Sequence, residues 1–209
     1  MAHEPTTDRG RRSRDRIVEA ADALIDDQGV RGAGVDRIIA RARVSKSQLY
    51  HFFSGKDDLV RAVIADRFER VLDAQMSMLT DLGSWAGIRR WLDMFVTENQ
   101  VHDLPGCPIG TLAGELAARD EAARADLAGC FSTWEQYLVK GLESMRARGQ
   151  LVPDADPEQL ATVVFAGLQG GLLLAKTHKN IEPLRIALDA AFAHLRSFRA
   201  QAEHPQEHT

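Results

Sequence analysis

Between residues 43 and 56 the chain places Arg43, Ser45, Lys46, Ser47, Gln48, Tyr50, His51 and Lys56, with no acidic residue among them. These side chains donate hydrogen bonds to phosphate oxygens or reach base edges. Lys46, Ser47 and Gln48 stand at the start of a short helix, where the first turn can enter a major groove. Tyr50 and His51 follow and can donate to a phosphate. Lys56 opens the next helix, where ammonium and helix dipole together favour an anion. Other readings stay open for single residues: Ser45 as a cap alone, Gln48 as its capping-box partner, Tyr50 and Phe52 as core aromatics.

The charge pattern singles out the same region. The 209-residue chain has a formal net charge of −4, yet residues 31–56 are net +5 and residues 9–16 net +4. A basic N-terminal quarter on an acidic body points to a polyanion held at one end. The arginines at 9, 11, 12 and 14 allow two readings, a minor-groove arm or a solvated tail.

The elements that must position these groups are helices throughout; no stretch shows the period-2 alternation of a strand. Nine are expected: 12–28, 35–42, 46–52, 56–80, 84–102, 108–118, 120–148, 157–177 and 180–200. Their ends are marked by Gly29 and Gly149 as stops, by Ser45 with Gln48 as a capping box, by Ser84, Asp156 and Asn180 as caps, and by Pro108 and Pro157 in first turns. Val35, Ile38 and Ile39 should pack the second helix on the first, Val44 should be buried in the turn, and Leu49 and Phe52 should face the small core. The fold class is therefore all-α. It divides near residue 56, where the basic charge ends, into a three-helix helix-turn-helix DNA-binding domain (9–56) and a larger helical ligand-binding and dimerisation domain (57–202).

The runs Arg16-Ile17-Val18-Glu19-Ala20-Ala21, Gln28-Gly29-Val30, Val44-Ser45-Lys46-Ser47-Gln48-Leu49-Tyr50-His51-Phe52-Phe53 and Lys56-Asp57-Asp58-Leu59 resemble the N-terminal domain of TetR-type repressors over about residues 12–65. The resemblance implies a homodimer that binds a near-palindromic double-stranded operator and releases it when a small molecule enters the C-terminal domain. It implies that Tyr50 and Lys56 contact phosphates. This chain departs from the pattern at Arg43, where the family usually has Gly, and at Ala33 and Gly34, where it often has Thr and Ser. The lost hydroxyls remove a cap and a phosphate contact from the second helix.

Beyond residue 56 large apolar residues are dense. Phe68, Trp91, Phe95, Phe131 and Trp134 are expected to wall a cavity, with His102, Thr111, Glu115, Tyr137 and Gln169 as its polar groups, so the inducer is expected to be apolar or amphipathic. Each alone is equally a core or surface residue. Phe165, Ala166, Gly170 and Leu173, with Leu184, Leu188, Ala191 and Leu195, are expected to form a four-helix dimer interface, Gly167, Gly171 and Ala175 letting the partner helix approach. Cys107 precedes a helix N-terminus, which admits a redox or electrophile sensor beside the plainer reading of a buried turn cysteine. Cys130 falls on an apolar stripe and is expected in the core.

No metal-binding, phosphate-loop or nucleophile-elbow motif occurs, so neither an enzyme nor a bound metal or cofactor is expected. The longest apolar run, 163–175, is broken by glycines and Gln169. It is too short for a membrane span, and the chain reads as soluble, cytoplasmic and without a membrane partner. A helical protein whose DNA motif is vestigial is the remaining alternative.

Overall fold

The computed structural model describes residues 5–200. Among them lie nine helices: α1 (Asp8–Gly32), α2 (Val35–Ala42), α3 (Lys46–Phe52), α4 (Lys56–Leu79), α5 (Trp85–Val101), α6 (Pro108–Leu116), α7 (Glu121–Ala147), α8 (Pro157–His178) and α9 (Glu182–Ser197). No strand occurs among the described residues; one isolated antiparallel bridge joins Leu151 and Arg199. The ends follow from local chemistry. Ser84 Oγ accepts from Gly87 N, and the Asp156 carboxylate accepts from Glu158 N and Gln159 N. Asn180 Oδ1 accepts from Glu182 N at 3.0 Å. Gly149 takes a positive φ of 67° just past α7. Such contacts satisfy N–H and C=O groups that a helix end leaves unpaired.

Helix α1 begins earlier than expected. Thr7 is its N-cap, Asp8 adds an acid to the first turn, and the arginines at 9, 11, 12 and 14 are helical. The arginines therefore stand on an ordered helix rather than on an irregular tail. Gly29 interrupts the helix with φ 71° and ψ 169°, after which one more turn runs to Gly32.

By packing, the chain forms two compact units: Met1–Ala74 with Pro108–Phe131, and Gln75–Cys107 with Ser132–Thr209. The functional division expected at residue 56 is of another kind and falls inside the first unit; its far end at 202 lies outside the described residues. The first unit buries Ile17, Ala21 and Leu24 of α1 with Ile38, Leu49, Phe52, Phe53, Leu59 and Val63. Polar ties reinforce this core. Arg67, only 7% exposed, donates from Nε to Asp22 Oδ1 at 2.7 Å, and Arg70 reaches Asp22 Oδ2 at 2.6 Å. Val30 N donates to Glu115 Oε2 at 2.8 Å, fixing the turn after Gly29 to α6.

In the second unit α8 and α9 form a helical hairpin around the left-handed Lys179. The face of α9 made by Leu184, Leu188, Ala191 and Leu195 is buried. Gly171 admits α9: a Cβ there would lie 2.9 Å from Leu184 Cδ1 and 3.0 Å from Leu184 Cα. By length and composition alone α8 could cross a membrane, its 18-residue window averaging a hydropathy of 1.4, a mark that the core helix of a soluble fold carries equally. Its packing on α9 gives that apolarity a use within the fold.

Candidate nucleic-acid interface

Helix α2 buries Ile38 and Ala42 but only half-buries Val35 and Ile39. Its N-cap is Gly34, with no side-chain cap bond, as expected from the missing hydroxyl. It ends on Arg43 in the left-handed conformation, φ 54° and ψ 48°, with the Arg43 N–H directed to the Ala40 and Ile39 carbonyls. That region favours glycine and strains a residue with a Cβ. Val44, expected to be buried, is half-buried; Phe53, not singled out from the sequence, is the more deeply buried residue at 1% exposure.

Helix α3 starts on a complete capping box: Gln48 N donates to Ser45 Oγ at 3.1 Å and Ser45 N donates to Gln48 Oε1 at 2.8 Å. Seven residues would scarcely hold as an isolated helix. Here the cap and the buried pair Leu49 and Phe52 fix the helix on α1 and α2. The rest of α3 is polar and outward: Lys46, Ser47, Gln48, Tyr50 and His51 are exposed, as are Arg43 and Ser45. Lys46 Nζ lies 6.0 Å from the Tyr50 ring centroid, one turn on. Lys56 opens α4 half-buried, its ammonium 3.5 Å from the Arg31 carbonyl oxygen. Arg9, Arg12 and Arg16 of α1 line a surface depression of about 450 Å³ that Gln48 also lines, together with Asp15 and Glu19. The sequence signal for this extension of the basic surface was Thr7 ahead of Asp8, a cap followed by a first-turn acid. All eight residues expected at DNA thus sit on α3, on the turn before it or at the start of α4.

The expected pocket residues are only partly brought together. In the second unit Trp91 and Phe95 meet at 5.2 Å between ring centroids, Phe95 and Trp134 at 6.0 Å, and Trp134 and Phe165 at 5.3 Å. Tyr137 and Gln169 are half-buried on α7 and α8. His102, by contrast, is exposed at the end of α5 and pairs with Glu98 at 3.3 Å. Thr111 is exposed because α6 buries Ile109, Leu112 and Leu116, which lie on another face. Glu115 caps the turn after Gly29. These three are corrected: none is a polar group of an apolar cavity. Phe68 and Phe131 are half-buried residues of the first unit.

The dimer assignment is corrected in part. Leu184, Leu188 and Leu195 are at most 1% exposed, Ala191 6% and Phe165 7%. Buried within their own chain, they have almost no surface for a partner. Gly171 and Ala175 likewise serve the hairpin, and Gly167 lies 3.6 Å from Ala191 Cβ. What remains outward on α8 is Ala166, Gly170 and Leu173, with Val163 and Leu174 beside them. Cys107 and Cys130 are both buried, and burial, with Asp126 adding, pushes the Cys130 thiol up.

Two family models match the chain: the one described as bacterial regulatory proteins, tetR family, over residues 17–63, and the tetracyclin repressor-like C-terminal domain over residues 85–191. The transcriptional regulator AcuR of Cereibacter sphaeroides is 31% identical over 172 residues, spanning 80% of this chain and 78% of that one. The repressor DhaR of a Mycobacterium species is 29% identical over 179 residues, 86% and 90% of the two chains. Among solved structures, a TetR regulatory protein from Rhodobacter sphaeroides superposes with a TM-score of 0.72 at 27% identity, over 86% of this chain and 97% of its own. A Chloroflexus aurantiacus regulator shares the fold with a TM-score of 0.80 at 24% identity, over 94% of this chain and all of its own. With the capped helix α3 beneath one match and the helical body beneath the other, the chain belongs to the TetR family of DNA-binding transcriptional regulators and is not an enzyme.

Proposed function

We propose that the protein is a homodimeric repressor that leaves its operator when a small molecule enters the C-terminal region. One observation supports this reading above the others: α3 is held by Leu49 and Phe52 while Lys46, Ser47, Tyr50 and His51 face outward. In this reading Lys46, Ser47 and Gln48 reach base edges in the major groove. Gln48 uses its carbonyl in the cap, which leaves its amide nitrogen to donate. Tyr50, His51 and Lys56 anchor phosphates, Ser45 caps α3, and Arg43 adds charge beside it. Residues 9–56 carry DNA and the rest carries ligand and partner. The outward stripe of α8, Ala166, Gly170 and Leu173, meets the same stripe of a second copy, and twofold symmetry presents two recognition helices to a near-palindromic site.

The test is binding to the DNA upstream of the protein's own gene across a salt series. A salt-sensitive complex is expected, with log affinity falling linearly in log salt. No complex with any upstream fragment at low salt would overturn the reading.

A further inference from the structure

Two indole N–H groups of the second unit have opposite fates. Trp91 Nε1 donates to Gln75 Oε1 at 3.0 Å, inside the core. Trp134 is 2% exposed, yet its buried Nε1 has no acceptor. A second donor in the same condition is Gln169 Nε2. Phe165 relates their positions. Trp134 packs on Phe165 at 5.3 Å, and Gln169 stands one turn beyond Phe165 on the same helix, where side chains four apart share a face. The third such atom, Gln150 Oε1, is an acceptor, and its residue lines a different depression that Arg196 and Arg199 also line.

A buried donor left unpaired is costly, so a pair of them is expected to have a partner in some state of the protein. The surroundings define its chemistry. Phe95 and Phe165 flank Trp134. Among the described residues the buried cation is Arg67, which belongs to the other unit. A carboxylate taken up here would lose its hydration with no buried counter-charge. A neutral carbonyl oxygen has two lone pairs and loses far less.

We propose that the effector is an uncharged, partly aromatic or aliphatic molecule carrying a hydrogen-bond acceptor oxygen, received by Trp134 Nε1 and Gln169 Nε2. This deepens the reading of a ligand-released regulator and rests on it.

The experiment titrates the full chain, without DNA, with acetophenone, with ethylbenzene (matched in size, no acceptor) and with benzoate, reading affinity by calorimetry and the tryptophan indole N–H resonances by ¹⁵N NMR. Acetophenone is expected to bind about tenfold tighter than ethylbenzene and tighter than benzoate. It is also expected to move downfield the indole resonance that is missing in Trp134→Phe. The preference should shrink to about threefold or less in Trp134→Phe and in Gln169→Leu. Either variant suffices if the other fails to fold. Equal affinities for the two neutral probes, tighter binding of benzoate, no response to acetophenone, or a preference unchanged in both variants would overturn the proposal. Because no operator is present, a protein that failed to bind DNA would sink the repressor reading without deciding this one.

Discussion

Glu115 accepts a hydrogen bond from the backbone N–H of Val30, 85 residues earlier in the chain, at 2.8 Å. Gly29 lies directly beneath the same carboxylate: a Cβ on it would stand 2.9 Å from Glu115 Oε2. The pair secures the end of α1 to α6 where the backbone leaves helical geometry. Glu115→Ala should lower unfolding stability by about 1–2 kcal/mol, since the side-chain acceptor of a part-buried N–H is lost. Glu115→Gln keeps an acceptor oxygen and should lose less than half of that. Urea unfolding measures both; equal losses would show that the contact matters for packing and not for the bond.

Arg43 sits in left-handed geometry at φ 54°. Arg43→Gly should therefore stabilise the fold by about 0.5–1 kcal/mol, because glycine adopts this conformation without a Cβ clash. If Arg43 also lies against DNA, the same change should weaken operator binding and reduce its salt slope by about one phosphate contact. Stability and binding would then move in opposite directions, which denaturation and a salt titration read separately. A variant no more stable than the parent would remove the strain argument.

Much of α2 to α4 was legible because its signals are local. Ser45 and Gln48 lie three residues apart, and α2 and α3 fall at the residues their periodicity predicts. The contact of Glu115 with Val30 was not legible, because no spacing rule links positions 85 residues apart. The stripe Leu184, Leu188, Ala191, Leu195 was read as part of a dimer interface, because periodicity says that a face is covered and not by what. Here the cover is α8 of the same chain. His102 and Thr111 were misassigned for the related reason that a single polar residue has no sequence mark for facing inward or outward.

Tyr50 is 47% exposed, so removing its hydroxyl should leave the fold intact. Tyr50→Phe is expected to weaken binding to every operator sequence by a similar factor, about three- to tenfold, as loss of one phosphate hydrogen bond would. Lys56→Ala should do the same and lower the salt slope by about one. Competition among operators mutated one base pair at a time is the check. A loss concentrated at one base position would refute the phosphate role.

Gly170 and Gly171 are neighbours with opposite surroundings, and that separates folding from assembly. A Cβ on Gly170 meets nothing within 4 Å, whereas one on Gly171 runs into Leu184 of the same chain. Gly170→Arg therefore has room in the monomer and should keep the parent's helix content. In the proposed dimer it would bring a charge from each copy into the apolar stripe beside Leu173, which is 65% exposed in the single chain. An unpaired charge buried in such an interface is strongly unfavourable. Light scattering should show the parent as a dimer and Gly170→Arg as a folded monomer. Gly171→Arg should lose the α8–α9 hairpin, and with it cooperative thermal unfolding. A folded Gly170→Arg that remained dimeric would move the interface away from this stripe.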